Sequence, residues 1–197
     1  MITRIILVLA LLGVGACSKD DAEQTIKNPG LISLGTIHEE KIEPGLIRVL
    51  GGHERDSLQF SGNDVIKSVD IYATQDGGQP VLTIFYKGTY ERINDIGDST
   101  FEINFHYDSV EVVARNEDAL KLLNGLTFCG KNDFVLGQAA NLTANSADPL
   151  CPLDDVPFHV YDIYKIEGER VFFGKGDKSK AETRPKELDR DRPFIKR

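Results

Sequence analysis

The segment STFEINFHYDSVEVV, residues 99–113, gives the clearest indication of the fold. Its apolar residues Phe101, Ile103, Phe105 and Tyr107 alternate with the polar residues between them. Successive side chains of a β-strand point to opposite faces, so this alternation predicts a strand with one buried face. The segment before it, PVLTIFYKGTYERI (80–93), alternates less strictly, and Gly88 within it predicts a bulge or a bend.

Further segments with strand character follow one another at short spacing along the chain. They are GLIRVL (45–50), DSLQF (56–60), VIKSVDIYA (65–73), FVLGQAANLT (134–143), FHVYDIYKI (158–166) and RVFFG (170–174). One segment, NEDALKLLNG (116–125), predicts a helix that is capped by Asn116 and ended by Gly125. Many short strands with a single helix indicate a mainly β domain, either an antiparallel barrel or a sandwich.

The first residues, MITRIILVLALLGVGACSKDD (1–21), are typical of a secretory signal. Arg4 supplies a positive charge, a short apolar run follows, and small residues precede Cys17. The end of this stretch resembles the lipobox of bacterial lipoproteins, which implies lipidation of Cys17 after removal of residues 1–16. Ser18 suggests the outer membrane if the source has two membranes. The alternative is an ordinary signal peptide with a cysteine nearby.

The rest of the chain divides into three predicted parts. Residues 17–29 are polar without periodicity and predict a flexible tether, and residues 30–174 form the predicted β-barrel domain. Residues 175–197 hold nine basic and five acidic side chains. We expect this basic tail to pack on the acidic barrel, and a basic arm for anionic lipid heads is the alternative.

Three cysteines are present, and the lipobox accounts for one of them. An oxidising compartment favours a disulfide between Cys129 and Cys151, which would stabilise the fold by about 3 kcal/mol. A metal pair is the alternative, but two cysteines without a nearby histidine supply too few ligands for zinc.

Other features argue against nucleic-acid partners, metal sites and enzyme activity. The formal net charge of −8 disfavours phosphate binding. The four histidines, His38, His53, His106 and His159, do not show metal-ligand spacing, and the chain contains no Gly-x-Ser-x-Gly motif. GKGDKSK (174–180) follows a strand but leads into no apolar helix, so it predicts a hairpin turn or a strand exit rather than a phosphate loop. We therefore expect no cofactor, no metal and no catalysis.

Aromatic residues occur on nearly every predicted strand and allow two interpretations. They either fill the core or line a pocket, since small barrels do one or the other. The residues that would line such a pocket lie on the aligned faces of two strands: Tyr86, Tyr90, Phe101, Ile103, Phe105 and Tyr107.

Three segments carry a resemblance to a known family. They are FCGKNDFVLG (128–137), VYDIYKIEGERVFFGKGD (160–177) and TRPKELDRDRPF (183–194). They resemble bacterial lipocalin-like secreted proteins and the ectodomain repeat of the adenomatosis polyposis coli down-regulated family, which are Wnt inhibitors in animals. The resemblance implies a lipocalin-like, open or partial antiparallel β-barrel whose concave face binds a lipid, acyl chain or other apolar ligand. The alternative is an envelope protein-interaction module or inhibitor with a solidly packed barrel.

Overall fold

The computed structural model describes residues 31, 35–41, 43–44, 52–142, 151, 153 and 156–196. The predicted signal peptide, Cys17, the predicted tether and the strand predicted at 45–50 lie outside these residues. Within them, no helix combines the length and apolar character that crossing a membrane requires.

Ten strands and one α-helix make up the described chain. The strands are β1 (Thr36–Glu39), β2 (Glu43–Pro44), β3 (His53–Ser61), β4 (Asp64–Tyr72), β5 (Leu82–Gly97), β6 (Thr100–Ala114), β7 (Ala140–Leu142), β8 (Phe158–Glu167), β9 (Arg170–Phe173) and β10 (Phe194–Lys196). The helix α1 spans Glu117–Leu126, and short 3-10 turns span Phe128–Gly130 and Ala181–Thr183.

Eight of the strands close into an antiparallel β-barrel. The order around the ring is β1-β10-β9-β8-β6-β5-β4-β3, and β1 completes it because it pairs with both β10 and β3. The short strands β2 and β7 extend the sheet beside β3 and β6. The prediction of an antiparallel barrel with one helix is confirmed, and the ring is complete rather than partial.

The longest hairpin, β5–β6, contains the bulge that Gly88 predicted. The pairing shifts register between Lys87 and Gly88. A Cβ atom on Gly88 would lie 1.9 Å from the carbonyl oxygen of His106. No other residue fits so close an approach of two backbones, so the glycine sets where the hairpin bends.

The helix begins as predicted and ends later than predicted. The side chain of Asn116 accepts a hydrogen bond of 2.8 Å from the backbone N–H of Ala119, which is the expected cap. The prediction that Gly125 ends the helix is wrong, because the helix runs on to Leu126. Thr127 takes the left-handed conformation, and its N–H bonds to the last helical carbonyls. Ala119 and Leu123 pack into the core.

The strand predicted at 134–143 is mostly a loop. Only Ala140–Leu142 pairs, with β6. The side chain of Asn124 accepts from the backbone N–H of Phe134 and donates to its carbonyl, at 2.9 and 3.1 Å. Phe134 is therefore buried although it belongs to no strand, because the side chain of Asn124 provides hydrogen-bond partners for its backbone N–H and C=O.

The predicted disulfide between Cys129 and Cys151 is present. Cys129 lies in the turn after α1 and is buried. The bond therefore ties the end of the helix to the chain that leads towards β8.

The C-terminal segment lies against the barrel and ends as part of it. Arg184 donates hydrogen bonds of 2.9 and 2.8 Å to the carbonyls of Ile103 and Asp162, and one of 2.7 Å to the side chain of Asn104. Further along, β10 pairs with β1 and β9. The barrel thus includes residues that the sequence assigned to a tail.

Candidate ligand cavity within the barrel

Aromatic rings fill much of the barrel interior. Phe60 and Tyr90 meet edge to face with ring centroids 5.0 Å apart. Phe173 continues the cluster, 6.2 Å from Phe105 and 5.3 Å from Phe194. Rings at these separations form the favourable contacts expected in a packed core.

Beside this cluster lies a cavity of about 230 Å³ that is open on one side. Its wall combines aromatic and aliphatic side chains with three acidic and three basic ones. The lining residues are Glu39, Asp56, Leu58, Lys67, Tyr86, Phe105, Tyr107, Phe158, Val160, Asp162, Phe173, Lys178, Arg192 and Phe194. The barrel is therefore neither solidly packed nor lined by apolar groups alone.

Lys67 brings a cation into the barrel from β4. It shares the inner face of that strand with the buried residues Val65 and Val69. Its ammonium lies 2.7 Å from the carboxylate of Asp56, on the neighbouring strand β3. Burial lowers the pKa of Lys67, but the Asp56 carboxylate, together with Tyr107 and Tyr86, raises it, and the pKa ends above its ordinary value. Lys67 thus remains charged inside the cavity.

Glu39 and Arg192 form a second ion pair at the edge of the cavity. The guanidinium of Arg192 lies 2.8 Å from one oxygen of Glu39, and the backbone N–H of Asp56 donates to the other at 3.4 Å. Burial raises the pKa of Glu39, and the nearby Asp56 carboxylate adds to this, although Arg192 opposes it. The net direction is upward, so this carboxylate is less acidic than an exposed one.

Asp162 anchors the segment that follows β9. One carboxylate oxygen accepts hydrogen bonds from the backbone N–H groups of Ile163 and Gly174, at 2.8 and 2.9 Å. The other oxygen lies 2.7 Å from the ammonium of Lys178. Burial raises the pKa of Asp162, and Lys178 only partly offsets this. A Cβ on Gly174 would lie 2.6 Å from the same carboxylate, so the glycine lets the chain pass closely over it.

Two tyrosines near the cavity keep their phenolic protons. Burial raises the pKa of Tyr107, with Lys67 opposing the shift, and the net direction is upward. Burial also raises the pKa of Tyr90 to about 12, and its hydroxyl donates to the carbonyl of Gly62 at 3.1 Å. Both phenols are therefore neutral near pH 7.

The six residues predicted from the sequence to line a ligand pocket lie in different environments. Tyr86, Phe105 and Tyr107 line the cavity. Tyr90 and Ile103 are buried in the core, and Phe101 is partly buried under the guanidinium of Arg92, 4.7 Å from its ring centre.

Sequence reasoning missed the charged residues of the cavity. Lys67 and Asp162 lie within the predicted strands VIKSVDIYA and FHVYDIYKI, at positions in phase with apolar neighbours. A charge on the apolar face of a strand was the signal that could have found them.

A larger depression, of about 460 Å³, lies outside the barrel. It is lined mainly by polar residues of β5, β6 and β8, among them His106 and His159, whose ring nitrogens are 3.1 Å apart. Nowhere in the described parts of the chain do three His, Cys, Asp or Glu side chains gather as metal ligands. The inner cavity offers the more specific binding chemistry, because it pairs apolar walls with buried charges.

Comparisons with known proteins assign no family: no family model matches the chain, and no curated protein matches it. The resemblance to the adenomatosis polyposis coli down-regulated family therefore stays a prediction from sequence.

Proposed function

We propose that this chain is a non-enzymatic binding protein that holds a small amphipathic molecule inside its barrel. The observation that carries the proposal is the composition of the cavity wall. The rings of Tyr86, Phe105 and Phe158 offer an apolar surface, and Lys67 lies on the same wall. A site with apolar walls and a few placed polar groups is the usual arrangement for small-molecule binding.

The size of the cavity restricts the ligand. Pockets that enclose drug-sized ligands measure about 300–1,000 Å³, and this cavity measures about 230 Å³. The proposed ligand is therefore smaller than the acyl chain that the family resemblance implied. A ligand with one ring or a short aliphatic group matches the space better than a complete lipid chain.

We also propose that the protein is held at the cell envelope, at the outer membrane of a two-membrane source, by acyl chains on Cys17. The lipobox-like residues before Cys17 support this, and the disulfide between Cys129 and Cys151 agrees with an oxidising compartment. Several acyl chains anchor a protein stably because each buried methylene contributes about 0.8 kcal/mol.

Binding of a neutral amphipathic probe tests the proposed function. The full chain in lipid nanodiscs would be titrated with phenylpropanol, and binding followed by ligand-observed NMR against empty nanodiscs. We expect saturable binding in the micromolar to millimolar range, roughly what the ligand efficiency of so small a molecule permits.

A pair of adjacent substitutions locates the binding. Val160→Phe adds bulk to the cavity wall and should abolish binding, whereas His159→Phe on the outer face should leave it unchanged. Lack of saturable binding in the unmodified chain, or equal binding by both variants, would refute a ligand site in the barrel.

A further inference from the structure

In each of the three ion pairs of the cavity, the carboxylate is less exposed to solvent than its cation. Their carboxylates, on Glu39, Asp56 and Asp162, keep only 4–18 % of their side-chain surface accessible. Their cations keep 31–43 %. The negative charges are thus covered, and the charge that a molecule entering the cavity would meet is mainly positive.

The positions of the cations strengthen this asymmetry. Lys67 lies on the inner face of β4, so its accessible surface faces the cavity. Lys178 and Arg192 come from the C-terminal segment that runs along the barrel, and both line the same cavity. The three acidic and three basic side chains of the wall balance in formal charge, and the accessible charge is mainly positive because the carboxylates are the more covered partners.

Lys67 keeps hydrogen-bonding capacity beyond its ion pair. An ammonium group carries three hydrogen-bond donors, and the contact between Lys67 and Asp56 uses one of them. An oxygen of the ligand would accept a hydrogen bond from a second of these donors.

On the premise of the proposed function, we propose that the barrel selects small anions, namely a carboxylate attached to an aromatic or short aliphatic group. The carboxylate binds to Lys67, with Lys178 and Arg192 at the side of the cavity that the C-terminal segment supplies. The apolar part lies against Tyr86, Phe105 and Phe158. A hydrogen bond between an ammonium and a carboxylate is roughly twice as strong as one between neutral groups.

Three probes that share one apolar group test the charge preference. The full chain in nanodiscs would be titrated with phenylpropionate, phenylpropanol and phenylpropylamine, with empty nanodiscs as the reference. We expect phenylpropionate to bind roughly tenfold more tightly than the alcohol, and the amine to bind most weakly. If the alcohol or the amine binds as tightly as the carboxylate, the anion preference is overturned while the barrel remains a binding site. If none of the three binds, the proposed function itself fails.

Matched double variants identify the group responsible. Lys67→Met with Asp56→Asn removes the inner ion pair without leaving an orphaned charge, and should lower the affinity for phenylpropionate towards that for the alcohol. Lys87→Met with Glu111→Gln removes a pair of the same 2.7 Å length from the outer face, and should change neither affinity. Circular dichroism would confirm that each variant is folded.

A second double variant keeps the test decisive if the first inner one does not fold. Lys178→Gln with Asp162→Asn removes the cation and its covered partner together, and should reduce the preference for the carboxylate over the alcohol. An unchanged preference in every folded inner variant would show that these cations do not recognise the ligand.

Discussion

At the scale of single residues, a few charged side chains on apolar strand faces decide what the barrel interior can do. Lys67 and Asp162 occupy positions where a leucine or valine would complete the core. Burying a charge is costly unless it is paired, and each of these residues has a partner within 2.7 Å. These ion pairs allow charged side chains to occupy the wall of the cavity.

The raised pKa of Asp162 predicts a pH-dependent effect of removing its charge. Between the ordinary aspartate pKa of about 4 and the raised value, the folded chain holds the proton more often than the unfolded chain does. The stability contributed by this group is therefore greatest at low pH and falls as the pH rises through that window. Asp162→Asn cannot ionise, so its free energy of unfolding relative to wild type should rise from pH 4 towards neutrality.

Urea unfolding of the full chain at several pH values would measure this difference. Asp133→Asn is the control of opposite sign, because a hydrogen bond from Lys131 lowers the pKa of that exposed carboxylate. Its stability relative to wild type should fall as the pH rises towards 4. A difference for Asp162→Asn that stays flat with pH would contradict the prediction.

At the scale of elements, the β5–β6 hairpin sets the shape of the barrel. The bulge at Gly88 leaves Phe105 and Tyr107 on the inner side together with Tyr86 and Val110. Without the extra residue, the alternation would place one half of the long strand β6 on the wrong face.

Gly88→Ala should destabilise the protein because a Cβ would lie 1.9 Å from the backbone of His106. Overpacking of this kind costs about 1–3 kcal/mol, measured as a lower free energy of unfolding in urea. Gly125→Ala is the matched control. Gly125 lies in α1 with nothing within 4 Å of an added Cβ, so alanine should stabilise the helix by about 0.5–1 kcal/mol. Equal effects of the two substitutions would contradict the close approach at the bulge.

At the scale of the whole molecule, the two ends of the described chain close the barrel. β1 pairs with β10, and the C-terminal segment places Lys178 and Arg192 at the cavity. The wall of the cavity is therefore complete only when the last described strand has paired with the first, which brings the distant residues Glu39 and Arg192 into contact.

The proposed anchor makes a prediction about where the whole molecule resides. In a bacterium grown with an alkyne fatty acid, the wild-type chain should carry label and have the mass of a chain cleaved before Cys17. Cys17→Ser should accumulate as unlabelled precursor. Cys129→Ser is the matched control and should still be labelled, because it leaves the lipobox intact. Labelled mature protein from Cys17→Ser would refute the anchor.

The sequence by itself determined the local features of this protein. Alternation over residues 99–113 identified the central strand, Gly88 marked the bulge, Asn116 marked the start of the helix, and two cysteines identified the disulfide. These features depend on neighbours in the chain or on chemistry that few residue types provide. The extents of α1 and of the strand near Phe134 were misjudged, because the contact with Asn124 that shapes this region crosses ten residues.

Only the tertiary structure decided the character of the barrel interior. Whether aromatic rings fill a barrel or surround a cavity depends on how side chains from every strand meet, which periodicity along one strand does not record. The three ion pairs join residues from different strands and from the C-terminal segment, so their partners were not visible as a motif. Closure decides two of these pairs, because the C-terminal segment brings Lys178 to Asp162 and Arg192 to Glu39.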